Sequence, residues 1–122
     1  MKNISLKRVY EPVDEADGQR ILIDRLLPRG ISKEEARLPY WLKDVAPSSE
    51  LRKWFGHLPE RFEEFRSRYL HELRTNEQQS RAVDQIIEWS SNRPVTLLYG
   101  AKDPIHNHAL VLKEELIFRM DQ

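Results

Sequence analysis

Two short segments hold most of the residue types that chemistry needs. The first is Asp24-Arg25-Leu26-Leu27-Pro28-Arg29-Gly30. An acid and a base sit side by side, and a second arginine follows a proline. Two guanidiniums in one loop can clamp a phosphate or carboxylate through paired N–H groups. Gly30 opens backbone conformations closed to other residues. The second segment is Tyr99-Gly100-Ala101-Lys102-Asp103-Pro104-Ile105-His106-Asn107-His108. Lys102 supplies a charge, and Gly100 and Ala101 are small enough for a ligand to come close. Histidine exchanges protons near neutral pH. Asp24 and His108 are therefore the candidate catalytic acid–base residues, should there be any catalysis. Arg25, Arg29 and Lys102 are the candidate anion ligands, Asn107 stands beside them, and Tyr10 and Tyr99 offer ring faces or hydroxyls.

Each residue also has a plainer use. Asp24 and Arg25 are equally suited to tying down loop carbonyls. Asp103 before Pro104 reads as a helix cap, His106 as a solvent-facing side chain, and His108 as a partner for a neighbouring loop. As metal ligands the two histidines are poor, because residues two apart on a helix do not share a face. Their spacing resembles no zinc motif, so no metal site is expected. The chain has no cysteine, which excludes disulfides, thiolate catalysis and Cys-ligated metals. It also has no Walker loop, no G-x-G-x-x-G and no G-x-S-x-G elbow. No cofactor is indicated.

The surrounding elements explain why the two segments belong together. Ile4 to Tyr10 alternates polar and apolar residues and reads as a strand. Arg20-Ile21-Leu22-Ile23-Asp24 and Val95-Thr96-Leu97-Leu98-Tyr99 are continuous apolar runs, the pattern of strands covered on both faces. Helices intervene. Ser32 with Glu35 forms a capping box for a short helix ended by Pro39. Tyr40-Trp41-Leu42 then packs onto the core. Ser48 caps a second short helix, which Gly56 closes. Pro59 opens the clearest helix, with Phe62, Phe65, Tyr69 and Leu73 at helical spacing. Another helix follows from about Glu77 to Ser90. Asp103 and Pro104 read as N-cap and first residue of a last helix, ending near Phe118. A helical crossover between two doubly buried strands implies a parallel pair. The expectation is an α/β fold, a small three-layer sandwich with a short, mainly parallel sheet flanked by helices. In such sheets ligands bind at the carboxyl ends of the strands, where both segments lie. A helix N-terminus near Lys102 would add free N–H groups and a favourable dipole for an anion.

Composition bounds the rest. A chain of 122 residues, 39% hydrophobic and 33% charged, suits one domain spanning residues 1–122. Twenty basic and twenty acidic residues cancel, so tight binding to duplex DNA is not expected from bulk charge. The arginines at 61, 66, 68 and 74 share their helix with glutamates and read as a solvated face. Trp41, Trp54 and Trp89 read as core, and His57 and His71 lack catalytic company. There is no signal-peptide pattern and no apolar run of membrane-spanning length, so a cytoplasmic location is expected.

The order of motifs is distinctive. Lys7-Arg8-Val9-Tyr10, Ile21 through Ile31, Pro47 through Phe55, Phe65 through Leu73, Thr96 through Asp103 and Asn107-His108-Ala109 resemble the YeaO-like proteins of domain-of-unknown-function family 488. The likeness covers nearly the whole chain. It implies a bacterial or archaeal cytoplasmic α/β domain, with no activity, substrate or cofactor attached. Longer members of the broader family carry a Cys at the position of Tyr99 and a Cys-His-Arg run after the following loop. Here Asn107-His108-Ala109 stands in place of that run, so cysteine chemistry does not carry over and only the placement of the site does.

Three functional readings follow. The first is a site for an anionic or nucleotide-like small molecule at the carboxyl ends of the strands. The second is a non-catalytic nucleic-acid-associated or regulatory module, which a one-sided basic surface would favour. The third is a protein-interaction module, which an exposed apolar patch around Trp41 and Trp54 would favour.

Overall fold

Continuous apolar runs make the centre of the sheet. In the computed structural model, which describes residues 3–32, 34 and 40–122, four strands form: β1 (Ile4–Arg8), β2 (Gln19–Leu22), β3 (Tyr40–Trp41) and β4 (Val95–Tyr99). Every residue of β2 and β4 is buried, as strands covered on both faces must be. The spatial order is β1-β4-β2-β3. All neighbouring pairs are parallel, with Arg8 opposite Tyr99 and Leu22 opposite Leu98. The expected parallel α/β fold is the one observed. One consequence matters for function: the carboxyl ends of all four strands open on the same edge. The strand β3 is too short to leave a sequence pattern, and the reading of Tyr40-Trp41-Leu42 as mere core packing missed it.

Four helices are described, α1 (Ser49–Phe55), α2 (Phe62–Thr75), α3 (Glu77–Ser90) and α4 (His108–Met120). The helix expected between Ser32 and Pro39 lies outside the described residues. Pro59 opens a 3-10 turn, Pro59–Arg61, that leads into α2. Strand alternation sends Ile21, Ile23, Leu97 and Tyr99 into one cluster with Phe65, Tyr69, Val83, Ile86, Leu112 and Leu116 of the helices. Each large apolar side chain buried there contributes about 1.5–3 kcal/mol. Leu22 and Leu98 point the other way and join Val9, with Leu27, Ile31 and Trp41 packed against them.

The helix ends follow local chemistry. The Ser48 hydroxyl accepts from the Leu51 N–H at 3.2 Å and donates to Glu72 at 2.6 Å. Gly56 closes α1 in the left-handed region at φ 55, where glycine carries no steric cost. Ser48→Ala removes the cap and one bond to α2 together. We expect a loss of about 1–2 kcal/mol, read by urea denaturation. A change within a few tenths would mean that water replaces the cap.

The last helix departs from expectation. It starts at His108 with Asn107 as N-cap, whose side chain accepts from the Leu110 N–H. Asp103 is drawn elsewhere. Its Oδ1 accepts from the Ile105 and His106 N–H groups at 2.8 and 3.1 Å. A local turn therefore competed with the helix for Asp103 and won, and five residues separate Lys102 from the true helix start.

Candidate functional site

The ends of β2 and β4 are held together by their own residues. The Ile23 N–H donates to the Leu98 carbonyl at 3.0 Å. One residue on, Asp24 Oδ2 accepts from the Gly100 N–H at 3.0 Å. A Cβ at Gly100 would lie 3.0 Å from Asp24 Oδ2 and 3.0 Å from Pro28 Cγ. Gly100 is thus small because Asp24 and Pro28 fill the space beside it, and no ligand is needed to explain it. The end of β1 staples both loops. Arg8 donates from Nε to the Ala101 carbonyl at 2.8 Å and from Nη2 to the Gly100 carbonyl at 3.2 Å. The Tyr10 hydroxyl donates to the Arg29 carbonyl at 2.8 Å.

Between these loops and the helices lies a pocket of about 610 Å³. Asp24, Arg25, Arg29 and Tyr10 line it from the first segment and the end of β1. Lys102, Asn107 and His108 line it from the second segment. The two segments therefore meet. Tyr99 does not line the pocket. As the last residue of β4 it follows the strand alternation into the helix-side core. Burial pushes its phenol above the usual tyrosine range, with Glu11 adding to the shift against Arg8 and Asn107.

The lining residues differ in what they have left to offer. Arg25 donates to the Pro47 and Ala46 carbonyls at 3.2 and 3.3 Å, so it anchors the opposite wall as well as facing the pocket. Asn107 is buried and spends its amide on the Asp103 carbonyl and the helix cap. Arg29 and Lys102 are exposed, and their side chains make no ion pair among the described residues. Asp103 is held below the usual carboxylate range by the Ile105 N–H and by His106.

Asp24 and His108, the two acid–base candidates, are in contact. His108 Nε2 lies 2.9 Å from Asp24 Oδ1. Neither of these two buried atoms has another hydrogen-bond partner among the described residues, so they face each other alone. Trp41 fixes the backbone here by donating from Nε1 to the Asp24 carbonyl at 2.8 Å.

Sequence reasoning missed the far wall. Ala46, Pro47, Arg52, Phe55, His57 and Phe65 also line the pocket. His57 sits at φ 59, the single non-glycine residue in the left-handed region among those described. Such a conformation is costly for a residue with a Cβ. The one local signal was its place directly after the Gly56 cap. Among the described residues, Arg25, Arg29, Arg52 and Lys102 give the pocket four cations against the two carboxylates of Asp24 and Asp103.

Comparison with known proteins places the chain. Residues 3–122 match the family model described as the inactive DUF488-N3 subclade. The chain belongs to the DUF488 family. The Escherichia coli (strain K12) protein YeaO, described as uncharacterised, is 46% identical over 114 residues, covering 93% of this chain and 96% of YeaO. The uncharacterised protein Rv3073c of Mycobacterium tuberculosis (strain H37Rv) is 43% identical over 113 residues, covering 93% and 92%. The Mycobacterium bovis protein Mb3100c is similar to the same extent. No solved structure matches.

Two further features of this DUF488 chain concern its surroundings. Among the described residues no helix is long and apolar enough to cross a membrane. Nor does any group of three or more histidines and acids stand close enough to hold a metal. The two positions that the resemblance pairs with cysteines are occupied by a buried core tyrosine, Tyr99, and a helix cap, Asn107.

Proposed function

We propose that this DUF488 chain binds an anionic, nucleotide-like small molecule at the carboxyl ends of its strands, without turning it over. The observation that carries this reading is the convergence of Arg29, Arg52 and Lys102 on one pocket with no carboxylate paired to them among the described residues. Arg25 adds a fourth charge whose bonds go only to carbonyls. Guanidinium and ammonium groups left unneutralised around a cleft favour an anion there.

Two points favour binding over catalysis. Among the described residues no serine, threonine or cysteine lines the pocket, and the one hydroxyl there, on Tyr10, is spent on the Arg29 carbonyl, so no free hydroxyl or thiol nucleophile stands among them. The matching subclade is described as inactive. The helix arginines lend nothing to nucleic-acid binding, because Arg66, Arg68 and Arg74 pair with Glu114, Glu64 and Glu115.

Isothermal titration with inorganic phosphate and with a mononucleotide, at low and at physiological salt, tests the reading. Exposed cations predict millimolar affinity that weakens as salt screens them. Absence of binding at low salt, by phosphate and by a mononucleotide alike, would refute it.

A further inference from the structure

We propose that the pocket takes a phosphomonoester carried on a flat ring, in preference to a free inorganic anion. This rests on the anion-binding reading above and narrows it.

Charge favours a dianion. Among the described residues, four cations less two carboxylates leave the lining with a formal charge of +2. A phosphomonoester carries roughly −1.5 to −2 near neutral pH and presents three acceptor oxygens. A carboxylate brings one charge and two oxygens. Arg29 and Lys102, one from each strand-end loop, supply donors that no acid among the described residues occupies.

Volume argues against a bare anion. The cavity is about 610 Å³. Water takes about 30 Å³ per molecule, so an inorganic phosphate would leave most of the space wet. Cavities of roughly 300–1,000 Å³ instead hold drug-sized organic ligands.

The remaining surface suits a ring. Phe55 and Phe65 form the apolar floor, but both are buried and stack on each other at 4.3 Å between centroids, so the accessible apolar surface comes from the loop beside Arg29. Pro28, partly exposed, adds a flat apolar face. Leu26 also lines the pocket and is 63% exposed, a leucine for which the fold itself gives no cover. Leu26, Leu27 and Pro28 stand in the same strand-end loop as Arg29, so the pocket sets apolar surface directly beside an exposed cation, the arrangement that an anionic group attached to a ring requires.

Calorimetric titration of the full chain with inorganic phosphate, phenyl phosphate, benzoate and adenosine 5′-monophosphate tests this. We expect phenyl phosphate and the mononucleotide to bind at least about tenfold more tightly than inorganic phosphate, as burial of a ring predicts. Benzoate should bind more weakly than phenyl phosphate. In Leu26→Ser the advantage of phenyl phosphate over phosphate should shrink several-fold. Equal affinity for phosphate and phenyl phosphate would overturn the ring while leaving anion binding intact. Benzoate binding more tightly than phenyl phosphate would overturn the dianion. No binding of any of the four would overturn both this inference and the reading beneath it.

Discussion

Asp17→Ala should cost the fold about 3–5 kcal/mol, the range for breaking a buried ion pair from one side, while anion affinity stays unchanged. Asp17 is buried at the amino end of β2, away from the pocket. Lys7 Nζ donates to its two oxygens at 2.9 and 3.1 Å. Arg20 Nη1 donates at 2.5 Å, and the Asp14 N–H at 3.1 Å. The carboxylate is the shared counter-charge of two cations packed against the sheet, and alanine strips it from both at once. Burial alone would raise the Asp17 pKa, but the bonds from Lys7, Asp14 and Arg20 outweigh it and hold it below the ordinary range. The sign of the pH effect follows. As pH falls, the unfolded chain takes up this proton first, near the usual aspartate value of about 4. The contribution is complete above that value and disappears as pH falls through the lowered folded pKa. Urea melts at pH 7 and pH 3 should therefore show a wide gap between wild type and variant that narrows in acid. A gap at pH 7 below about 1 kcal/mol would mean that water or other groups replace the carboxylate.

The same division between local and long-range causes decides what the sequence reveals. The strands β2 and β4 are legible because double-sided burial demands an unbroken apolar run. The helix α1 is legible because Ser48 and Gly56 are chemically suited to its two ends. The start of α4 is not, since Asp103 and Asn107 are both competent caps and only the turn around Ile105 and His106 decides between them. Meeting of the two polar segments follows from parallel strands, so Asp24, Arg29, Lys102 and His108 could be grouped from sequence. Tyr99 stands beside the pocket and not in its lining because its side chain obeys the alternation of β4 and not the loop that follows. Arg52 and His57 were invisible for another reason. They reach the pocket through the docking of residues 45–47, which Arg25 holds by two carbonyls and Tyr69 by its hydroxyl on the Val45 carbonyl at 2.5 Å. No local pattern encodes such a contact.

That docking separates the pocket arginines into two kinds, and a pair of variants can tell them apart. Arg29→Ala with Lys102→Ala should weaken anion binding about 100-fold. Hydrogen bonds to charged groups contribute about 1.5–3 kcal/mol each, and two such losses approach or exceed that factor. Both side chains are exposed and make no ion pair among the described residues, so the double variant should melt as wild type does, within about 0.5 kcal/mol. Arg25→Ala should behave differently. Its guanidinium bridges the end of β2 to the Ala46 and Pro47 carbonyls, and its loss takes the partner from the Pro47 carbonyl, while Ala46 keeps a bond from Gln79 at 3.0 Å. Stability and affinity should then fall together, the first by about 1–3 kcal/mol. Thermal melts paired with phosphate titration distinguish the two patterns. If the double variant instead loses stability and keeps its affinity, Arg29 and Lys102 are anchors of the fold, and the anion site must be sought elsewhere.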